Sequence, residues 1–180
     1  MVVALGALLA CGACRTTGAP SSDPAARERM LAMLMPSSVE IVSPFTRIAP
    51  TSEDEGEGEL DLQLELLLRA SNALDNPGLM IVGDVRVELF EFRPASGEPK
   101  GRQLARWVVP LVEEEDQRTY WNPVTQMYEF RLGLRRESVP AQDQYVVLVT
   151  YNSPLGSHLS DEEVIDVTRF RRVLAPSARR

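Results

Sequence analysis

From Val39 onward apolar and polar side chains alternate in short runs, the period expected of strands that bury one face. Leu60-Asp61-Leu62-Gln63-Leu64-Glu65-Leu66 sets four leucines on one side and Asp61, Gln63 and Glu65 on the other. Tyr128-Glu129-Phe130-Arg131-Leu132-Gly133-Leu134 repeats the pattern with Tyr128, Phe130, Leu132 and Leu134 inward. Val85-Arg86-Val87-Glu88-Leu89 alternates too, but Phe90-Glu91-Phe92 continues out of phase, which predicts a β-bulge near Leu89 and Phe90. Tyr145-Val146-Val147-Leu148-Val149 is apolar on both parities, as suits a central strand covered on both faces. Further strands are expected over 38–48, over 102–112 with Trp107 in the core, and over 164–172, making seven.

Polar, turn-rich segments separate these runs at 53–59, 72–78, 94–101, 113–122, 137–143 and 152–161. Short alternating strands at that spacing predict an all-β domain, a single two-sheet sandwich of immunoglobulin-like or transthyretin-like kind spanning 36–174. The Cys, Trp, Cys core pattern of antibody domains is absent. Ahead of the sandwich, Asp23 can cap a short helix over 24–35 with Pro24 in its first turn and Pro36 as its stop. Ala26, Met30 and Leu34 fall on one face, expected to pack on the domain rather than on lipid. The tail 175–180 is expected to be disordered.

The chain opens differently. Val2 to Leu9 form an apolar run too short to span a bilayer, closed by Leu8-Leu9-Ala10-Cys11 and followed by a small, polar, proline-containing stretch. Leu8-Leu9-Ala10-Cys11 resembles the lipobox of bacterial lipoprotein precursors. The resemblance implies a signal peptide over 1–10 and a tether over 11–23 that starts at a lipidated Cys11. It also implies a diacylglyceryl group on the thiol and a further chain on the freed amine. Two or more chains make such an anchor effectively permanent. No Lys or Arg precedes the apolar run, so the true start is expected upstream of Met1. The implied location is the bacterial cell envelope, lipid-anchored and facing the periplasm or the surface, with Gly12 favouring the outer membrane. The stretches Leu89-Phe90-Glu91-Phe92-Arg93-Pro94, Tyr120-Trp121-Asn122-Pro123-Val124-Thr125 and Tyr128-Glu129-Phe130 are similar to bacterial lipoproteins with one small β domain behind the anchor. That likeness implies an architecture and carries no activity.

With 180 residues, removal of the signal leaves one ordinary domain able to bury a sizeable core. Both cysteines, Cys11 and Cys14, precede it, so the domain has no disulfide and packing alone must hold it. A net charge of −7 argues against nucleic acid as a partner, because that contact needs a basic footprint.

Candidate chemistry is sparse. His158 is the only histidine, so no two-histidine zinc site can form, and no Gly-x-Ser-x-Gly elbow accompanies it. It is read as a surface residue at a hairpin tip. Gly56-Glu57-Gly58 lacks the third glycine of a dinucleotide loop. Glu53, Asp54, Glu55, Glu57 and Asp61 offer oxygen ligands for calcium, but without EF-hand spacing and with no positive charge between Arg47 and Arg69. A solvated acidic loop is the favoured reading, so no metal and no cofactor beyond the lipid on Cys11 is expected. Carboxylates such as Glu88 and Glu91, or those of 113–116, could pair as in glycosidases only if the fold converged them, and no enzymatic activity is expected. Tyr120 and Trp121, at a polar turn, either form a recognition patch for an envelope protein or glycan, or close one end of the core.

Overall fold

A computed structural model describes residues 23–51, 62–94 and 97–167, and the alternation along them becomes nine strands. These are β1 (Pro36–Ile41), β2 (Arg47–Pro50), β3 (Leu62–Asn72), β4 (Gly83–Phe92), β5 (Lys100–Leu111), β6 (Trp121–Asn122), β7 (Met127–Leu134), β8 (Gln144–Asn152) and β9 (His158–Asp166). One sheet runs β1-β3-β7-β6 with β2 also paired to β3, and the other runs β5-β4-β8-β9. Every strand pairing is antiparallel. The fold is an all-β two-sheet sandwich.

The core is the inward parity of the central strands. Leu62, Leu64, Leu66 and Leu68 of β3 and Tyr128 and Phe130 of β7 join Val85, Val87 and Leu89 of β4 and Tyr145, Val147, Val149 and Tyr151 of β8 in one buried cluster. Three of these are tyrosines whose hydroxyls must find partners once buried. Tyr145 donates to the Pro140 carbonyl and Tyr151 to the Val82 carbonyl at 2.8 Å, while Tyr128 accepts from the Ile81 N–H at 2.9 Å. Burial raises the Tyr145 pKa above its ordinary value.

The out-of-phase run in β4 has the expected cause, since its register with β5 slips between Leu89 and Phe90 and again before Phe92. Val146 points away from the core yet is fully buried. Lys100 of β5 reaches Glu162 of β9 at 2.8 Å, although two strands lie between them and the edges of such a sheet are roughly 14 Å apart. The extended Lys100 and Glu162 side chains bridge that span. At the opposite edge the Ile41 N–H donates to Asp161 Oδ2 at 2.7 Å, joining β1 to β9 across the two sheets.

Several expectations need correction. The single strand over 38–48 is two strands, separated by a 3-10 turn at Ser43–Phe45 where Pro44 has no N–H for the ladder. The last strand begins at His158 instead of 164, because Ser160, Asp161, Glu162 and Glu163 are polar on both parities of an edge strand. The separator over 113–122 contains a helix, α2 (Glu114–Tyr120), closed by reciprocal Glu113 and Asp116 capping bonds. Trp107 is half-buried rather than core, its indole N–H donating to the Gly133 carbonyl at 3.2 Å. The N-terminal helix α1 (Pro24–Leu34) has the expected Asp23 cap, which accepts from the Ala25 N–H at 3.0 Å. Its apolar face does not pack on the domain, however, since Met30 and Leu34 are 57% and 62% exposed. The chain passes from α1 into β1 within one residue, leaving no loop to fold the helix back over a sheet.

Candidate functional site

Two places in the sandwich gather polar and aromatic side chains. The first is the break between β1 and β2. Ile41 pairs with Leu68 and Arg47 with Glu65, so the five residues 42–46 stand opposite only two on β3 and must bow outward. The bow opens a cleft of about 800 Å³ lined by Phe45, Arg47, Glu65, Leu67, Glu129 and Asp166, among others. Glu65 accepts from Arg47 Nε at 2.5 Å and from Gln63 Nε2 at 3.1 Å. Glu129 accepts from Asn122 Nδ2 at 2.7 Å. These two carboxylates are engaged as acceptors in hydrogen bonds to neighbouring side chains. Phe45, 63% exposed, is the apolar element at the rim. Sequence reading passed over this cleft, although Ser43-Pro44 inside an alternating run is the signal of a ladder break.

The second place is the α2–β6 corner. Glu113 to Asp116 favour a helix start through their charge and capping bonds, and the helix then delivers Gln117 toward the sandwich. Gln117 Nε2 donates to the carbonyls of Ile81 at 2.7 Å and Leu111 at 2.9 Å, and its Oε1 accepts from the Tyr128 hydroxyl at 2.6 Å. Desolvation pushes the Tyr128 pKa up to about 12, outweighing its hydrogen bonds with Ile81 and Gln117, which act the other way. Tyr120 and Trp121 follow directly. Both are half-buried and packed against the core, Tyr120 on Phe130 with ring centroids 5.2 Å apart and Trp121 edge-on to Tyr128 at 5.0 Å. Their rings thus cover the core at this corner. Asn122 then turns the chain, its Oδ1 accepting from the Val124 N–H at 2.8 Å.

The remaining sequence candidates are scattered. His158 is the first residue of β9, not the loop tip, and its Nδ1 lies 2.6 Å from Asn152 Oδ1, within hydrogen-bond distance. Glu91 pairs with Arg102 at 2.9 Å and Glu88 accepts from Gln103 at 3.0 Å, so each is tied to a neighbouring strand. Glu53, Asp54, Glu55, Glu57 and Asp61 lie outside the described residues, as do Cys11, the signal and tether stretches before Asp23, and the tail. Among the described residues no group of three or more His, Cys, Asp or Glu side chains could hold a metal ion. No helix among them is long and apolar enough to cross a membrane. No protein-family model, curated protein or solved structure matches this chain.

Proposed function

We propose that this protein is a membrane-tethered, non-enzymatic β-sandwich of the bacterial cell envelope, held by lipid on Cys11 and making contacts with an envelope protein or glycan. The observation that carries the reading is the Leu8-Leu9-Ala10-Cys11 signature, set twelve residues before the Asp23 cap of α1 and ahead of a sandwich that contains no cysteine. A tether of that length reaches at most roughly 40 Å, which keeps the domain beside the membrane. The cleft at the β1–β2 break, with an exposed aromatic at its rim and charged side chains already fixed, suits adhesion better than bond chemistry.

The same reading takes the sandwich as immunoglobulin-like rather than transthyretin-like. Two features support this. The order β1-β3-β7-β6 opposite β4-β8-β9 corresponds to the strands A, B, E and D opposite C, F and G, with β5 as an added strand beside C. Tyr145, the second residue of β8 at the F position, bonds back to the carbonyl of Pro140 on the preceding corner, as the tyrosine corner of that fold does.

The test is Cys11→Ser in the full chain. Loss of lipid labelling and of membrane fractionation, with thermal unfolding of the domain unchanged, is the expected result. Equal membrane association of the variant would overturn the anchor.

A further inference from the structure

Among the described residues, twelve large apolar side chains are exposed, and ten of them sit at one end of the sandwich. Four are on α1: Met30, Leu31, Met33 and Leu34. Six more lie on segments that leave the strand ends: Leu74, Met80, Val82, Val112, Val124 and Leu155. Only Phe45 and Val108 lie elsewhere.

The hydrogen bonds establish that these segments share an end. Asn72, the last residue of β3, donates from Nδ2 to the Met33 carbonyl at 2.7 Å, which holds α1 there. Gln117 ties the segment before β4 to the end of β5, and Tyr128 at the start of β7 bonds the same Ile81. Gly83 at the start of β4 abuts the Asn152 carbonyl at the end of β8, next to the turn that carries Leu155. Continuing the β4–β5 register one step past Gly83 and Leu111 sets Val82 opposite Val112, on the outward parity.

We infer that this apolar end is a second, non-covalent membrane contact that seats the domain on an uncharged lipid surface. Clustered exposed aliphatic and methionine side chains mark an interaction face. The direction of the chain selects the occupant, because the 22 residues before Asp23 enter through α1 at this same end. A bilayer held at Cys11 is therefore joined to the domain through this end, and the inference rests on the Cys11 reading for that link alone. Charge selects the lipid. At this end Asp84 and the acidic start of α2, Glu113 to Asp116, outnumber the cationic Arg27, Arg29 and Arg118, so an anionic surface would be repelled on balance.

The experiment uses the full chain in phosphatidylcholine vesicles, with a photo-crosslinking residue at Val124, at Leu155 or, at the opposite end, at Glu98, and lipid labelling of Cys11 followed in parallel. Lipid adducts are expected at Val124 and Leu155 and not at Glu98. Met30→Glu, Leu74→Glu and Met80→Glu together should lower the Val124 adduct about tenfold without moving the melting temperature, and added anionic lipid should lower it too. Acylated Cys11 without adducts at the apolar end, or adducts at Glu98 of equal yield, would overturn the inference and leave the anchor standing. Adducts to protein in place of lipid, in native membranes, would overturn it also. Adducts at Val124 and Leu155 with Cys11 unmodified would remove the anchor and keep the second contact.

Discussion

Gln117 on α2 and Tyr128 on β7 meet 2.6 Å apart and together satisfy the backbone of Ile81 and Leu111, so one side-chain pair binds both sheets and the helix between them. Replacing Gln117 by Ala removes the side-chain donor to the Leu111 carbonyl and one of two donors to the Ile81 carbonyl, the other being the Tyr128 hydroxyl at 3.3 Å, and leaving a buried polar group unsatisfied costs about 1–3 kcal/mol. Urea unfolding should show a loss of about 2 kcal/mol, with a fall in Tm of roughly 4–8 °C for a domain of this size. Tyr128→Phe should cost a similar amount by stranding the Ile81 N–H. The double variant should lose clearly less than the sum, because the two groups act through one network. Additive losses would refute the coupling.

The same pair sets the alkaline limit of the fold. The Tyr128 hydroxyl is held neutral up to about pH 12, against an ordinary value of 10 in the unfolded chain. Between those values the unfolded state has released its proton while the folded state retains it, so the folded state binds more protons and stability falls as pH rises. The contribution is fully present below pH 10 and is lost as pH climbs toward 12. Each unit of separation corresponds to about 1.4 kcal/mol, so the decline over that window should be on the order of 2 kcal/mol. Tyr128→Phe, less stable at neutral pH, should show a shallower decline from pH 10 to 12, measured by denaturant unfolding at each pH. A parallel decline in both proteins would assign the effect to other groups, Tyr145 first among them.

Gly83 should be the least replaceable glycine among the described residues. Its φ of +145° is open to glycine and strained for other residues, and a Cβ there would lie 2.2 Å from the Asn152 carbonyl oxygen. The obstacle is the backbone of β8, which cannot rotate aside, so Gly83→Ala must part β4 from β8 at the end where Tyr151 bonds Val82. A loss of about 3 kcal/mol or more is expected. Gly97→Ala meets nothing within 4 Å and serves as the control, with a change inside about 0.5 kcal/mol. Equal stability of the two variants would contradict the close approach of β4 and β8.

The sequence was most legible where burial followed strict parity. The leucines of β3, the inward set of β7 and the slip at Leu89 and Phe90 follow from alternation and its break, and the burial of Val146 follows from the apolar character of β8 on both parities. Legibility failed where structure is held by polar groups. The helix α2 has no buried residue and starts from Glu113 and Asp116, so its sequence resembles a solvated turn and its purpose, delivering Gln117, shows only in three dimensions. The edge strand β9 carries charge on both parities and so has no period to read. The split of β1 from β2 was masked by apolar residues continuing on both sides of Pro44. The apolar end is a property of topology, since its ten side chains come from six stretches of chain that no spacing rule links.

The acidic run Glu53, Asp54, Glu55, Glu57 and Asp61 is where a bland and a functional reading part most sharply. In sequence it falls between β2 and β3. Calcium bound there in the native state alone would stabilise the fold by RT ln(1 + [L]/Kd), about 2.7 kcal/mol at a hundred times Kd. Repelling carboxylates without EF-hand spacing must first be ordered around the ion, which favours the solvated loop. Millimolar calcium is therefore expected to move the melting temperature no more than sodium chloride of equal ionic strength does. Replacing Glu53, Asp54, Glu55 and Glu57 by Ser should leave the midpoint within about 0.5 kcal/mol of the parent, as surface changes generally do. A saturable rise specific to calcium, absent from the Ser variant, would establish a metal site on this loop and make metal binding part of the protein's function.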